Sequence, residues 1–123
     1  MKLKVKKRIV KWALLIIVVT AVLTAYVLSK GGPKTDYGEF AKCLSEKGAV
    51  MYGAYWCSHC QAQKADFGDS FQYVDYVECS EYPDECTEKG IQGFPTWIID
   101  GGKYEGVQQL SRLAALTGCE LPV

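Results

Sequence analysis

Ala49-Val50-Met51-Tyr52-Gly53-Ala54-Tyr55-Trp56-Cys57-Ser58-His59-Cys60-Gln61-Ala62-Gln63-Lys64-Ala65-Asp66-Phe67 is the stretch on which the fold turns. Its first seven residues are an apolar, aromatic-rich run of strand length, preceded by the breaker Gly48. Its last seven are good helix formers that stop at Gly68. Between them stand two thiols at i and i+3, so the reading is strand, Cys-x-x-Cys, helix. Both sulfurs then meet in the first helical turn and can pass between dithiol and disulfide. At a helix N-terminus the unsatisfied N–H groups and the dipole favour negative charge, which stabilises a Cys57 thiolate. A protonated His59 adds a second positive influence. Cys57 is expected to be the exposed nucleophile and Cys60 the resolving thiol.

The same spacing is half of many zinc sites. His59 is the only histidine in the chain, so a Cys57, His59, Cys60 site needs a fourth ligand from Cys43, Cys79, Cys86 or Cys119. Ligands at the adjacent positions 59 and 60 also crowd a tetrahedral centre. No metal is therefore expected, and a redox-active disulfide serves where other enzymes bind a cofactor. The remaining alternatives are a structural disulfide and a His59 that merely faces solvent.

With 123 residues the chain has room for one domain. Its formal charge is zero, but unevenly spread: six basic side chains and no acid precede Lys30, whereas eight basic and fourteen acidic side chains follow from Lys30 onward. Residues 12–28, Trp12 to Leu28, carry no charge. As a helix they cover about 25 Å, near the lower limit for a hydrocarbon core of about 30 Å, with Lys11 and Lys30 able to snorkel. Trp12 and Tyr26 sit where interfacial aromatics belong. The positive-inside rule keeps basic residues 1–11 cytoplasmic and the domain on the extracytoplasmic side: periplasmic, lumenal or extracellular. A signal peptide cut after Val19-Thr20-Ala21 is the competing reading, but the apolar run continues for seven residues beyond it, which favours a retained single-pass anchor. Residues 29–35, with Gly31-Gly32-Pro33, read as a linker, and 36–123 as the domain.

Six cysteines in a domain of this size suit an oxidising compartment. If Cys57 pairs with Cys60, the other four allow three pairings. Cys79 and Cys86 bracket a short polar loop that Pro83 helps to turn back, and Cys43–Cys119 then ties the first domain helix to the C-terminus. On the chain-entropy model a loop of roughly 77 residues gives about 4.5 kcal/mol and one of roughly 8 gives about 2.5 kcal/mol.

Along the domain, Asp36 reads as an N-cap for a helix to about Lys47, with Glu39 at capping-box distance and Phe40, Ala41 and Leu44 on one face. Residues 49–55, 73–79 and 96–100 read as strands, and Thr87-Glu88-Lys89 ends a short helical turn at Gly90. Gly101-Gly102 reads as a two-residue hairpin turn into 103–106, and Leu110, Leu113, Ala114 and Leu116 mark a helix from about Gln108 to Thr117.

This order of elements resembles a thioredoxin-like α/β fold, a central mixed sheet flanked by helices, here preceded by one transmembrane helix. Gly93-Phe94-Pro95-Thr96 looks like that family's cis-proline loop. The resemblance implies that Pro95 packs beside the redox pair and that Phe94 accepts an extended substrate peptide as an added strand, with Trp56 at the same surface. Met51 to Lys64, with Cys79, Cys86, Gly90 to Trp97 and Gly118-Cys119, looks more closely like the thioredoxin-like domain fused to bacterial and plant vitamin K epoxide reductase homologues. That resemblance implies a thiol–disulfide oxidoreductase of exported proteins, coupled to a separate membrane-embedded, quinone-linked thiol oxidase of that type. Nucleic acid is not an expected partner. A reductase or isomerase of exported disulfides, an anchored, non-catalytic peptide-binding module, and a metal-binding chaperone using Cys57, His59 and Cys60 are the rival readings. One departure from thioredoxins stands out: six residues before Cys57, where they usually carry a buried aspartate, stands Met51.

Overall fold

The computed structural model describes residues 1–29 and 34–123, which fall into two compact units, Met1–Lys34 and Thr35–Val123. The linker glycines and Pro33, like Lys30, lie outside the described residues. The first unit is one helix, α1 (Lys2–Ser29), long and apolar enough to cross a membrane. It takes in the basic segment as well as residues 12–28, because lysines are good helix formers and continue the same backbone ladder. The hydroxyls of Thr20 and Thr24 donate to carbonyls within their own helix, so neither needs water along the apolar stretch.

The second unit runs α2 (Gly38–Glu46), β1 (Val50–Gly53), α3 (Ser58–Phe67), a 3-10 turn (Gly68–Tyr73), β2 (Asp75–Glu78), α4 (Pro83–Glu88), β3 (Thr96–Ile99), β4 (Gly102–Glu105) and α5 (Leu110–Thr117). The strands form one sheet in the order β2-β1-β3-β4. β1 and β2 are parallel, whereas β1 with β3 and β3 with β4 are antiparallel. This is the thioredoxin-like mixed sheet flanked by helices.

Alternation along β1 divides the core. Met51 joins Trp97 and Ile99 of β3 beneath Phe40 and Leu44 of α2, Phe67 of α3 and Leu113 of α5, all buried. Tyr52 faces the other way, toward Cys79 and Cys86. Burying the large side chains of the first cluster stabilises the unit by about 1.5–3 kcal/mol each.

Several local expectations are corrected. Asp36 does accept from the Gly38 N–H at 2.8 Å, but the helix begins at Gly38 and Glu39 pairs forward with Lys42 at 2.9 Å, so the capping box does not close. The strands are shorter than the apolar runs: Ala54 accepts from the Cys57 N–H at 3.1 Å, which turns the chain out of β1 before Tyr55. Pro83 opens α4, where its missing N–H costs nothing, and does not turn the loop. The hairpin turn is Asp100-Gly101, both at positive φ (49° and 77°), and Gly102 already pairs with Ile99. Asp-Gly is a preferred pair for that turn because both residues tolerate the left-handed region.

Candidate active site

Cys57 is the N-cap of α3, with extended backbone (φ −78°, ψ 120°) and its Sγ accepting from the Cys60 N–H at 3.4 Å. A cap residue is extended while the next is helical, so the strand-to-helix change itself aims this sulfur at the orphan N–H groups. The pair is present as the dithiol. Burial pushes the Cys57 thiol up, but the Cys60 S–H and the main-chain N–H groups of Cys60 and His59 outweigh it, so its pKa falls below the ordinary value. For Cys60 burial prevails and, with the neighbouring Cys57, pushes its pKa up to about 11, only partly offset by the Ala54 N–H and Lys64. Cys57 is not freely exposed as expected: 9% of it is open to solvent, against 0% of Cys60. The Phe94 carbonyl lies over it, 3.6 Å from Sγ. The two thiols still differ in reach and in acidity, in the direction a nucleophile and a resolving thiol require.

His59 is exposed, and what it contributes to Cys57 in this structure is its main-chain N–H. The Phe94-Pro95 peptide bond is cis and Pro95 is buried. The loop is fixed on both sides, by Thr96 Oγ1 donating to the Gly93 carbonyl at 2.7 Å and the Gly106 N–H donating to the Pro95 carbonyl at 2.8 Å. Trp56, 61% exposed, meets the Phe94 ring edge to face with centroids 6.0 Å apart. Trp56, Cys57, Phe94 and Pro95 are thus brought together, with Tyr55 exposed alongside in sequence.

Cys43 is bonded to Cys119 and Cys79 to Cys86, each with Cα atoms 5.8 Å apart. No group of three or more metal-ligating side chains gathers among the described residues.

Two features escaped the sequence reading. Gln63 is wholly buried and fully bonded: its Oε1 accepts from Trp97 Nε1 at 3.1 Å and from the Gln108 N–H at 2.7 Å, and its Nε2 donates to the Gln108 carbonyl at 3.0 Å. It pins α3 to β3 and to the approach of α5. The second is behind Cys60. A Cβ built on Gly53 would lie 2.8 Å from Cys60 Sγ and 3.4 Å from the Tyr76 hydroxyl, so both groups occupy the space that glycine leaves. The Tyr76 O–H donates to Glu78 Oε2 at 2.7 Å, and Lys64 Nζ sits 3.9 Å over the Tyr76 ring. Glycine at 53 and an aromatic in the second strand were visible, but their meeting depends on strand pairing.

No family model matches the chain. Over 92 residues it is 44% identical to "Thiol-disulfide oxidoreductase LTO1" of Arabidopsis thaliana, a match covering 66% of this chain and 24% of that protein. It is 30% identical over 90 residues to "Protein disulfide isomerase-like 2-2" of Oryza sativa subsp. japonica, covering 61% of this chain and 24% of that protein. The chain thus spans about a quarter of the length of these relatives. Among solved structures, thioredoxin of Fasciola hepatica superposes with a TM-score of 0.45 at 19% identity, over 66% of this chain and 91% of that one. The chain is similar in sequence to proteins named for thiol–disulfide chemistry, and its own sheet is thioredoxin-like.

Proposed function

We propose that the chain is a thiol–disulfide oxidoreductase acting on exported proteins through Cys57 and Cys60. The observation that carries this reading is the Cys57 sulfur at the start of α3, made more acidic by the Cys60 S–H and by main-chain N–H groups beside an accessible, aromatic-flanked loop, with a buried second thiol three residues on. In the oxidising direction a substrate thiolate attacks the Cys57 sulfur of the disulfide and Cys60 leaves as a thiolate that takes up a proton. A second substrate thiolate then attacks the substrate sulfur of the mixed disulfide, a substrate disulfide forms, and Cys57 leaves reduced. Phe94 offers main-chain pairing to an extended peptide and Trp56 an apolar contact.

The dithiol left behind needs an oxidant. Its source in this reading is a membrane-embedded, quinone-linked thiol oxidase of vitamin K epoxide reductase type, with α1 holding the chain in the same membrane and the domain on the extracytoplasmic side. The sequence resemblance and the apolar helix α1 support this arrangement.

Full-length Cys60→Ala, expressed in a host with its secretory pathway intact, is expected to retain covalent partners through Cys57 that reducing agent releases. Exported proteins among them would support the substrate class, and the quinone-linked enzyme the coupling. A Cys57–Cys60 potential below about −300 mV would instead describe an inert structural disulfide, and an absence of any trapped partner would favour the non-catalytic binding module.

A further inference from the structure

Resting on the redox reading above, we infer that Tyr76, held by Glu78, is the route by which the proton of Cys60 leaves and returns.

Cys60 must become a thiolate to resolve a mixed disulfide, yet it has no contact with bulk water. The groups that face it are few. From α3 and its cap come Lys64 and Cys57; from the end of β1 and the residue after it, only the gap at Gly53 and the Ala54 main-chain N–H; from β2, Tyr76. The first strand supplies no acid on this face, because Met51 occupies the position and is fully buried. In the parallel register Met51 pairs with Tyr76 and Gly53 with Glu78. Tyr76 is therefore the lateral neighbour of the missing acid, and the carboxylate lies one register step further toward the strand end. The phenol oxygen and the Cys60 sulfur both crowd the point where a Gly53 side chain would begin, at most about 6 Å apart, a span that one water bridges.

The direction of the hydrogen bonds suits transfer. Tyr76 gives its hydrogen to Glu78, so its oxygen lone pairs are free to accept from the sulfur side. Burial first, then the bond to Glu78, pushes the phenol pKa up, so Tyr76 does not rest as a phenolate. Burial alone would raise Glu78, but hydrogen bonds from Ser80, from Tyr76 and from the Tyr55 N–H outweigh it and keep it ionised. Glu78 thus accepts a proton only in passing. The Cys60 proton goes to the Tyr76 oxygen through water as the Tyr76 proton goes to Glu78 Oε2, and Glu78, only half-buried, releases it to solvent. Cys60 is left as a thiolate near the Lys64 ammonium, attacks the Cys57 sulfur, and the substrate departs as its thiolate. Run backwards, the same route reprotonates Cys60 after it leaves the disulfide.

The test uses the reduced full-length chain in detergent micelles with a disulfide-linked reporter peptide in single turnover, separating mixed-disulfide formation from resolution. Tyr76→Phe keeps the ring under Lys64 and removes the hydroxyl. Glu78→Gln keeps an acceptor for the phenol hydrogen but carries no proton. Each is expected to slow resolution by about tenfold to a hundredfold, with formation and Cys57 alkylation unchanged, and the double variant to lose no more than either alone. Resolution in the variants should then climb about tenfold per pH unit towards the Cys60 pKa, as unassisted ionisation requires, while the native chain stays flatter. A structural role would lower stability without steepening that profile. Native resolution rates and pH profile in Tyr76→Phe would overturn the inference. A native chain that forms no mixed disulfide with the reporter would overturn the redox reading on which it rests.

Discussion

At residue 57 the decisive quantity is the difference between two sulfurs three positions apart. Alkylation of the reduced chain with iodoacetamide, resolved by mass spectrometry from pH 5 to 11, is expected to modify Cys57 with a midpoint below the ordinary thiol value of about 8.5, and to leave Cys60 untouched until the pH nears about 11. Equal rates at the two positions would remove the distinction. The same shifts act on stability with opposite signs. Cys57, depressed in the folded state, contributes stability above its unfolded value, lost as the pH falls through its folded value. Cys60, raised, contributes below its unfolded value, and that contribution is lost as the pH rises through about 11. The reduced form should therefore lose stability between about pH 9 and 11 from the buried thiol. His59 allows a separate prediction. If its imidazole stabilises the thiolate in addition to its main-chain N–H, His59→Ala makes the disulfide less oxidising, by about 30 mV for each tenfold of lost thiolate stabilisation. Equilibration with glutathione measures this, and an unchanged potential assigns the histidine's whole influence to its backbone.

Among the elements, α3 depends on a buried glutamine. Gln63→Leu keeps the volume but leaves Trp97 Nε1 and the main-chain groups of Gln108 without partners, at a cost of about 2–4 kcal/mol by urea denaturation. A loss under 1 kcal/mol would mean that water replaces the amide. The bounds of α3 were legible because helix formers and Gly68 flank the Cys-x-x-Cys, and the order of strands was legible from apolar runs between turn residues. Strand ends were not, since an apolar run marks burial and Ala54 is as buried outside the strand as Met51 is within it. The hairpin shifted by one residue because Asp100-Gly101 and Gly101-Gly102 both make acceptable two-residue turns, and only the register of β3 on β4 selects one. The Tyr76–Glu78 pair was not legible, because its approach to Cys60 comes from the parallel pairing of strands far apart in sequence.

Over the whole molecule, the two structural disulfides should differ in worth. Replacing Cys43 and Cys119 by alanine removes a cross-link over 76 residues and is expected to cost about 4–5 kcal/mol, whereas the Cys79–Cys86 pair, 7 apart, should cost about 2–3 kcal/mol, both by equilibrium denaturation. Equal losses would mean that native packing around the bonds outweighs chain entropy. The long staple also has a mechanical consequence. It joins α2, near the start of the folded unit, to Cys119, two residues past α5, so everything from β1 to α5 lies inside a covalent ring. A tug on the N-terminal end can straighten the chain as far as residue 43 and then passes through sulfur to residue 119. About 26 nm of contour stays hidden from the force, and the Cys57–Cys60 pair is shielded while the segment before residue 43 is stretched.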